Sequence, residues 1–251
     1  MSTNSKRSIV ITGSAGYLGA SLVKKYKSLG YYVIGIDHET KKDALELMQK
    51  EASLDAFFSG DLSSKDFIEK YQNSLLADVK VDILVNCAGG SGSAFAGLGN
   101  FDAFHDLISM NLFTLWNSCS LFVPKMISNG GGRIVNFASA MAIISSVDGT
   151  AYCTAKSSVI GFTRHLATYG APHNVFVNSI SPSHIKDSPR HSQFFESKMG
   201  KDFIKTKMPL QKLCEEDDVN NMVVFLTSYE NKAITGQNFL VDGGFSLNGL
   251  R

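Results

Sequence analysis

Ser8-Ile9-Val10-Ile11-Thr12-Gly13-Ser14-Ala15-Gly16-Tyr17-Leu18-Gly19 is the stretch from which the fold is read. Its first five residues form a short β-branched run, three spaced glycines follow, and Ala20 to Leu29 has helical composition. A glycine motif carries meaning in this order of strand, turn and helix. Glycines let a backbone approach a pyrophosphate closely, and a helix N-terminus presents free N–H groups and a partial positive charge to it. Gly13, Ser14, Gly16, Tyr17, Leu18 and Gly19 are therefore candidate dinucleotide contacts, the alternative being an ordinary tight turn between a strand and a helix.

Outward from this stretch the pattern repeats. Tyr32 to Asp37 reads as a second strand with an acid at its carboxyl end, 18 residues beyond Gly19. A carboxylate there can accept hydrogen bonds from ribose hydroxyls and repels a 2′-phosphate, which favours NAD over NADP; Lys41 and Lys42 weigh the other way. Further strands are expected at Ala56 to Leu62, Val81 to Asn86, Arg133 to Ala138, Asn174 to Ile180 and Asn238 to Asp242. Helices are expected between them, at Lys65 to Leu75, Phe101 to Ser128 with an interruption at Pro124, Tyr152 to Gly170 and Glu215 to Ser228. Pro182 to Pro209 reads as irregular. Alternating strands and helices imply βαβ crossovers. The expected fold is therefore α/β and Rossmann-type, a doubly wound seven-stranded parallel sheet with helices on both faces. Asp37, Asp61, Asn86 and Ser139 all fall at expected carboxyl ends of strands, the rim where such sheets bind ligands.

Composition bounds the rest. With 251 residues, 44% of them hydrophobic and 19% charged, the chain suits one large domain without a linker, spanning 1–251. A net charge of +1 gives no electrostatic case for nucleic acid or an anionic membrane surface. No run approaches the roughly eighteen apolar residues of a membrane helix, so a cytoplasmic protein is expected. The four cysteines are widely spaced and the histidines lack ligand spacing, so neither a disulfide framework nor a metal is assigned.

Chemistry is suggested by Tyr152 and Lys156, four residues apart and hence on one helix face. A free phenol titrates near pH 10, so a base at neutral pH needs on the order of 4 kcal/mol of preferential phenolate stabilisation. A cation one turn away in a partly dry cleft supplies a term of that sign and size. Ser139, thirteen positions before Tyr152, can hold the substrate oxygen while the tyrosine moves the proton.

With these residues in place the chain resembles the short-chain dehydrogenase/reductase superfamily, its single-domain classical branch in particular, from about Arg7 to Phe245. Asn86-Cys87-Ala88-Gly89 matches the family's Asn-Asn-Ala-Gly element with one change, and Ile234-Thr235-Gly236-Gln237 with Val241-Asp242-Gly243-Gly244 resembles its C-terminal signature. The glycine spacing is instead that of the extended branch, Tyr17 standing where classical members have glycine. Pro182-Ser183 replaces Pro-Gly, and Asp187 replaces a threonine that contacts the nicotinamide carboxamide, with Ser188 adjacent.

The resemblance implies hydride transfer at a carbon bearing a hydroxyl or carbonyl group. Tyr152 would be the general acid/base, Lys156 would lower its pKa and hold the nicotinamide ribose, Ser139 would bind the substrate oxygen, and Asn111 would anchor a proton-relaying water. Asp61 and Leu62 would contact adenine, and Asn86, Ala88, Gly89, Pro182 and Ile185 would complete the cofactor site. From the residues alone, Asn111 can equally bond to backbone, Asp61 can equally cap a helix, and Phe194, Phe195 and Met199 are either core or substrate lid. A mixed pocket lining is expected from Met141, Ile143, Ile144, His184, His191, Phe194 and Phe195, within a pocket built by residues 140–150 and a loop or lid at about 183–208. The expected function is NAD-dependent oxidation or reduction of a small or medium secondary alcohol or ketone, by a homotetramer or homodimer. Alternatives are an NADPH-dependent 3-oxoacyl thioester reductase and a non-catalytic dinucleotide-binding regulator.

Overall fold

A computed structural model of the chain describes residues 6–72, 79–92, 98–144, 149–189 and 192–247. Seven parallel strands form one sheet in the order β3-β2-β1-β4-β5-β6-β7. They are β1 (Ser8–Thr12), β2 (Tyr32–Asp37), β3 (Ala56–Ser59), β4 (Ile83–Asn86), β5 (Gly132–Phe137), β6 (Val175–Pro182) and β7 (Asn238–Val241). The helices are α1 (Tyr17–Ser28), α2 (Lys42–Lys50), α3 (Lys65–Gln72), α4 (Phe101–Ile108), α5 (Thr114–Ser128), α6 (Thr150–Gly170), α7 (Ser192–Glu196), α8 (Lys198–Lys207) and α9 (Glu216–Thr227).

Successive side chains of a strand point to opposite faces, and here both faces of the central strands are covered, so these strands are largely apolar, and the polar residues among them, such as Asn136 and Asn178, are buried with hydrogen-bond partners. Ile9 and Ile11 of β1, and Ile83 and Val85 of β4, pack with Leu22, Tyr26, Leu45, Val219 and Val223 of α1, α2 and α9. Val10 and Leu84, between them in sequence, face the other way, onto Phe67, Phe122, Met126 and Val159 of α3, α5 and α6. Strand order reverses between β1 and β4, which opens a crevice beyond their carboxyl ends. Among the described residues no helix is long and apolar enough to cross a membrane.

Two expectations are corrected. The long helix is not interrupted at Pro124, which lies inside α5. Proline removes one N–H and frees the carbonyl four residues earlier; Pro124 and Ser120 are both exposed, so that carbonyl can face water. The interruption comes at Ser109–Phe113, a single wide turn of π-helix between α4 and α5 that carries Asn111. The segment after Pro182, expected to be irregular, instead contains α7 and α8. Their anchor is an aromatic cluster in which the His184 ring lies 5.2 Å from Phe195, 5.4 Å from Phe203 and 5.1 Å from Phe245.

Candidate active site

The glycine turn is shaped by backbone-to-backbone contact. Gly13 has φ +68°, and a Cβ on it would lie 2.7 Å from the Ala88 Cα. A Cβ on Gly19 would lie 1.9 Å from the Gly13 carbonyl oxygen, so β1 and α1 can meet this closely only without side chains there. Gly16 caps α1 with extended backbone and no side-chain hydrogen bond, and no acid occupies the first helical turn. The first N–H groups of a helix lack partners within it. Those of α1 lie beside a cleft of about 880 Å³ lined by Gly13, Gly16, Tyr17, Leu18 and Gly19.

One cleft runs from the ends of β2 and β3 to the ends of β5 and β6. At the first end it is lined by Asp37, Asp61 and Leu62; Ala88 and Gly89 lie midway; Ser139, Tyr152, Lys156, Pro182 and Ile185 line the other end. These fifteen residues, the five of the glycine turn included, were all singled out in the sequence. The Asp37 carboxylate is fixed by two backbone donors, Ala15 N–H and His38 N–H, each at 2.8 Å. It is thereby aimed at the mouth of the glycine turn. Asp61 both lines the cleft and caps the turn after it, accepting from Ser63 N–H at 2.8 Å and Ser63 Oγ at 2.7 Å.

Three expected residues stand behind the cleft wall. Ser14 is fully buried, its N–H donating to the Ile36 carbonyl at 3.3 Å. The Asn86 amide donates to Asn136 Oδ1 at 2.8 Å and accepts from Ser118 Oγ at 2.6 Å, in a polar network under the cleft floor. The Asn111 side chain bonds to backbone, donating to the Gly90 and Leu107 carbonyls at 2.8 and 2.9 Å and accepting from Gly90 N–H at 3.2 Å. Asn111 thus pins the loop after β4 to the π turn, and Gly89, at φ +141°, has no room for a Cβ, which would lie 2.7 Å from Asn111 Oδ1.

Lys156 is only 6% exposed and donates to the Phe137 carbonyl at 2.9 Å. Burial holds its ammonium at about 8, below the ordinary 10.5, with the neighbouring Cys87 acting weakly in the other direction. The Cys87 thiol, buried beside it, is pushed up to about 12 and stays protonated. Ser139 accepts from Met141 N–H at 3.2 Å, which orients its hydroxyl at the start of a short 3-10 turn. Tyr152 is half-buried on the first turn of α6, one turn before Lys156.

Other parts of the expected lining lie elsewhere. Met141, Ile143, Ile144, His184, Phe194 and Phe195 are not cleft residues, and His191 lies outside the described residues. Phe195, 7% exposed, belongs to the aromatic cluster with His184, while Met199 is 71% exposed. Asp187 is exposed with φ +58°, and Ser188, next to it, lines the cleft. Sequence reasoning missed Ser91 of the loop after β4, Asp106 of α4, Ser109 and Met110 of the π turn and Thr114 at the start of α5, all of which line the cleft. Of these only Ser91 had a signal, its place directly after the paired glycines. Tyr17, where glycine was expected, donates its hydroxyl to the Lys186 carbonyl at 2.8 Å and so bridges the glycine turn to the segment after β6. Burial and the nearby Glu216 raise the pKa of that phenol.

The chain is similar to known proteins over nearly its whole length. A family model described as enoyl-(acyl carrier protein) reductase matches residues 13–246. A 7α-hydroxysteroid dehydrogenase of Bacteroides fragilis is 30% identical over 246 residues, 96% of this chain and 94% of that protein. The chain belongs to the short-chain dehydrogenase/reductase superfamily of oxidoreductases. An NAD-dependent glycerol dehydrogenase of Listeria innocua is 29% identical, over 95% of this chain and 93% of that protein. Among solved structures, an oxidoreductase of the family from Burkholderia thailandensis superposes with a TM-score of 0.83 at 26% identity, over 96% of this chain and 93% of that one.

Proposed function

We propose that the chain transfers hydride between NAD(H) and a small or medium secondary alcohol or ketone. The observation that carries this reading is that Ser139, Tyr152 and Lys156 line the same cleft as the uncapped start of α1 and Asp37. The residues fit a dinucleotide: the free N–H groups of α1 suit a pyrophosphate, and the oriented Asp37 carboxylate suits a ribose diol without a 2′-phosphate. When bound, the nicotinamide supplies the hydride acceptor or donor.

The chain's own residues handle the rest. Ser139 holds the substrate oxygen. Tyr152 takes the alcohol proton during oxidation and returns it during reduction, so its phenolate must be accessible near neutral pH. Lys156, buried and cationic below about pH 8, stabilises that phenolate. Asn111, through its hold on Gly90 and Leu107, fixes the loop over Lys156; a water-anchoring role for it rests on the family resemblance. The segment at about 183–208 is proposed as the lid. Exposed Phe101, Phe104, Phe113 and Trp116 on the α4–α5 face support self-association through these helices as a dimer or tetramer.

Replacing Tyr152 by phenylalanine should reduce turnover at least about a thousandfold while leaving NADH affinity within a few-fold. Retained turnover would remove Tyr152 from its role. A second reading, NADPH-dependent reduction of 3-oxoacyl thioesters, draws on Lys41, which lines the cleft near Asp37, and on the acyl-carrier description of the matched family model. It requires a higher kcat/KM with NADPH and an acyl thioester than with NADH and a simple ketone.

A further inference from the structure

The cleft is bridged across its mouth. Its floor beneath the bridge is backbone, the turn at Gly13 lying against Ala88. Tyr17 opens α1, and because helical side chains tilt towards the helix N-terminus, its ring leans out over that turn. The Tyr17 hydroxyl donates to the Lys186 carbonyl at 2.8 Å, and this bond is exposed to solvent, so it spans the mouth and not the floor. Tyr17 on one wall, and Ile185 and Ser188 on the other, all line the cleft. A molecule reaching from Asp37 to Tyr152 passes between these walls, under the bridge.

The two ends of the bridge are built differently. The Lys186 end is held without Tyr17: Ile185 pairs with Cys214 as a parallel bridge, Lys186 N–H donates to the Cys214 carbonyl at 2.8 Å, and Cys214 N–H donates to the His184 carbonyl at 3.1 Å. Asp187, exposed with φ +58°, then turns the chain away. The Tyr17 end is a side chain, which swings between staggered wells without moving the backbone. A second acceptor stands beside it, because the Glu216 carboxylate, on the first turn of α9, also reaches the phenol. Burial and that carboxylate keep the phenol protonated, hence a hydrogen-bond donor on either side. Breaking the bridge therefore leaves no orphaned donor, and the carbonyl of exposed Lys186 is left to water.

We propose that Tyr17 is a gate for the cofactor: its side chain bars the mouth of the cleft over the middle of the dinucleotide, which enters and leaves only while the bridge to Lys186 is broken. This deepens, and rests on, the dinucleotide reading above. The bar closes by donating to Lys186 and opens by donating to Glu216. It slows entry and departure alike, so Tyr17 sets the rate of cofactor exchange and not the affinity.

The test is stopped-flow fluorescence of NADH association and dissociation on the full chain, for wild type, Tyr17→Phe and Glu216→Ala, with urea unfolding of all three. Phenylalanine keeps the ring and removes only the hydroxyl. Both rate constants should rise about three- to tenfold in Tyr17→Phe, the weight of one hydrogen bond, while Kd moves by less than about threefold. Glu216→Ala takes away the acceptor of the open state and should lower both rate constants. A general loss of stability cannot move the two variants in opposite directions. Faster dissociation alone, with Kd weakened to match, would overturn the inference, since the hydroxyl would then be a contact to the cofactor. Unchanged rates in Tyr17→Phe, with or without a loss of stability, would overturn it too and leave the bridge a tie within the scaffold. Faster exchange in Glu216→Ala would likewise refute the two-acceptor gate. Absence of NADH binding in the wild type would instead remove the dinucleotide reading beneath it.

Discussion

Replacing Lys156 by methionine separates what its charge does for the chemistry from what burying that charge does to the fold. Cβ atoms one helical turn apart lie about 6 Å from each other, and this is taken as the scale of the separation between the two charges. At an effective dielectric of about 20, a charge pair at that distance interacts by about 3 kcal/mol, or about two pKa units. Without the ammonium, the Tyr152 phenolate should therefore be harder to form, and turnover at pH 7 should fall about a hundredfold, with the loss recovered as pH rises. Stability should move the other way. Lys156 titrates at about 8 in the folded chain against an ordinary 10.5, which amounts to about 3 kcal/mol of burial penalty. The penalty is full below about pH 8, where both folded and unfolded chains carry the charge, and disappears as pH rises from 8 to 10.5 because only the unfolded chain stays protonated. Methionine also forfeits the hydrogen bond to the Phe137 carbonyl, about 1 kcal/mol. The variant should thus be about 2 kcal/mol more stable than wild type at pH 7 and about 1 kcal/mol less stable near pH 10.5. Denaturant titrations at both pH values, with pH profiles of kcat/KM, measure the two effects. A variant less stable at both pH values, or one with an unshifted pH profile, would refute the assignment of a buried, strained ammonium beside Tyr152.

Gly19→Ala should abolish NADH binding and destabilise the chain by at least about 3 kcal/mol, because its Cβ would meet the Gly13 carbonyl, a backbone atom that cannot rotate away; calorimetry and NADH titration check both. Asn86→Leu should cost about 2–4 kcal/mol in urea unfolding by leaving Asn136 and Ser118 without a shared partner. Asp37→Asn should weaken NADH binding and strengthen NADPH binding, narrowing their ratio of affinities at least about tenfold; an unchanged ratio would take Asp37 out of cofactor selection.

What the sequence showed plainly was whatever local pattern encodes. Short β-branched and apolar runs, continuous in β1 and β4 and broken by polar residues in β5 and β6, placed the seven strands, because a sheet covered on both faces needs no regular polar alternation. The spacing of Gly13, Gly16 and Gly19 marked a turn in which backbone meets backbone at Gly13 and Gly19. The four-residue step from Tyr152 to Lys156 put both residues on one helix face, and because α6 is regular both line the cleft. Asn86 was read as a rim residue because it ends β4, but its side chain turns under the floor to meet Asn136 and Ser118, 50 and 32 residues away. The same limit applies to α7 and α8, which are short and owe their place to His184, Phe203 and Phe245 rather than to their own periodicity. The π turn was hidden for a related reason: it is held by Asn111 reaching the loop at Gly90, a contact between elements.

The most direct test of the account is a fluorescence titration of the full chain with NADH and NADPH, followed by turnover of an alcohol and ketone panel with the better binder. Binding of NADH at least about tenfold tighter than NADPH, with turnover that Tyr152→Phe abolishes, is the predicted result. Binding of neither dinucleotide would contradict it, and would mean that the start of α1 and Asp37 do not form a cofactor site.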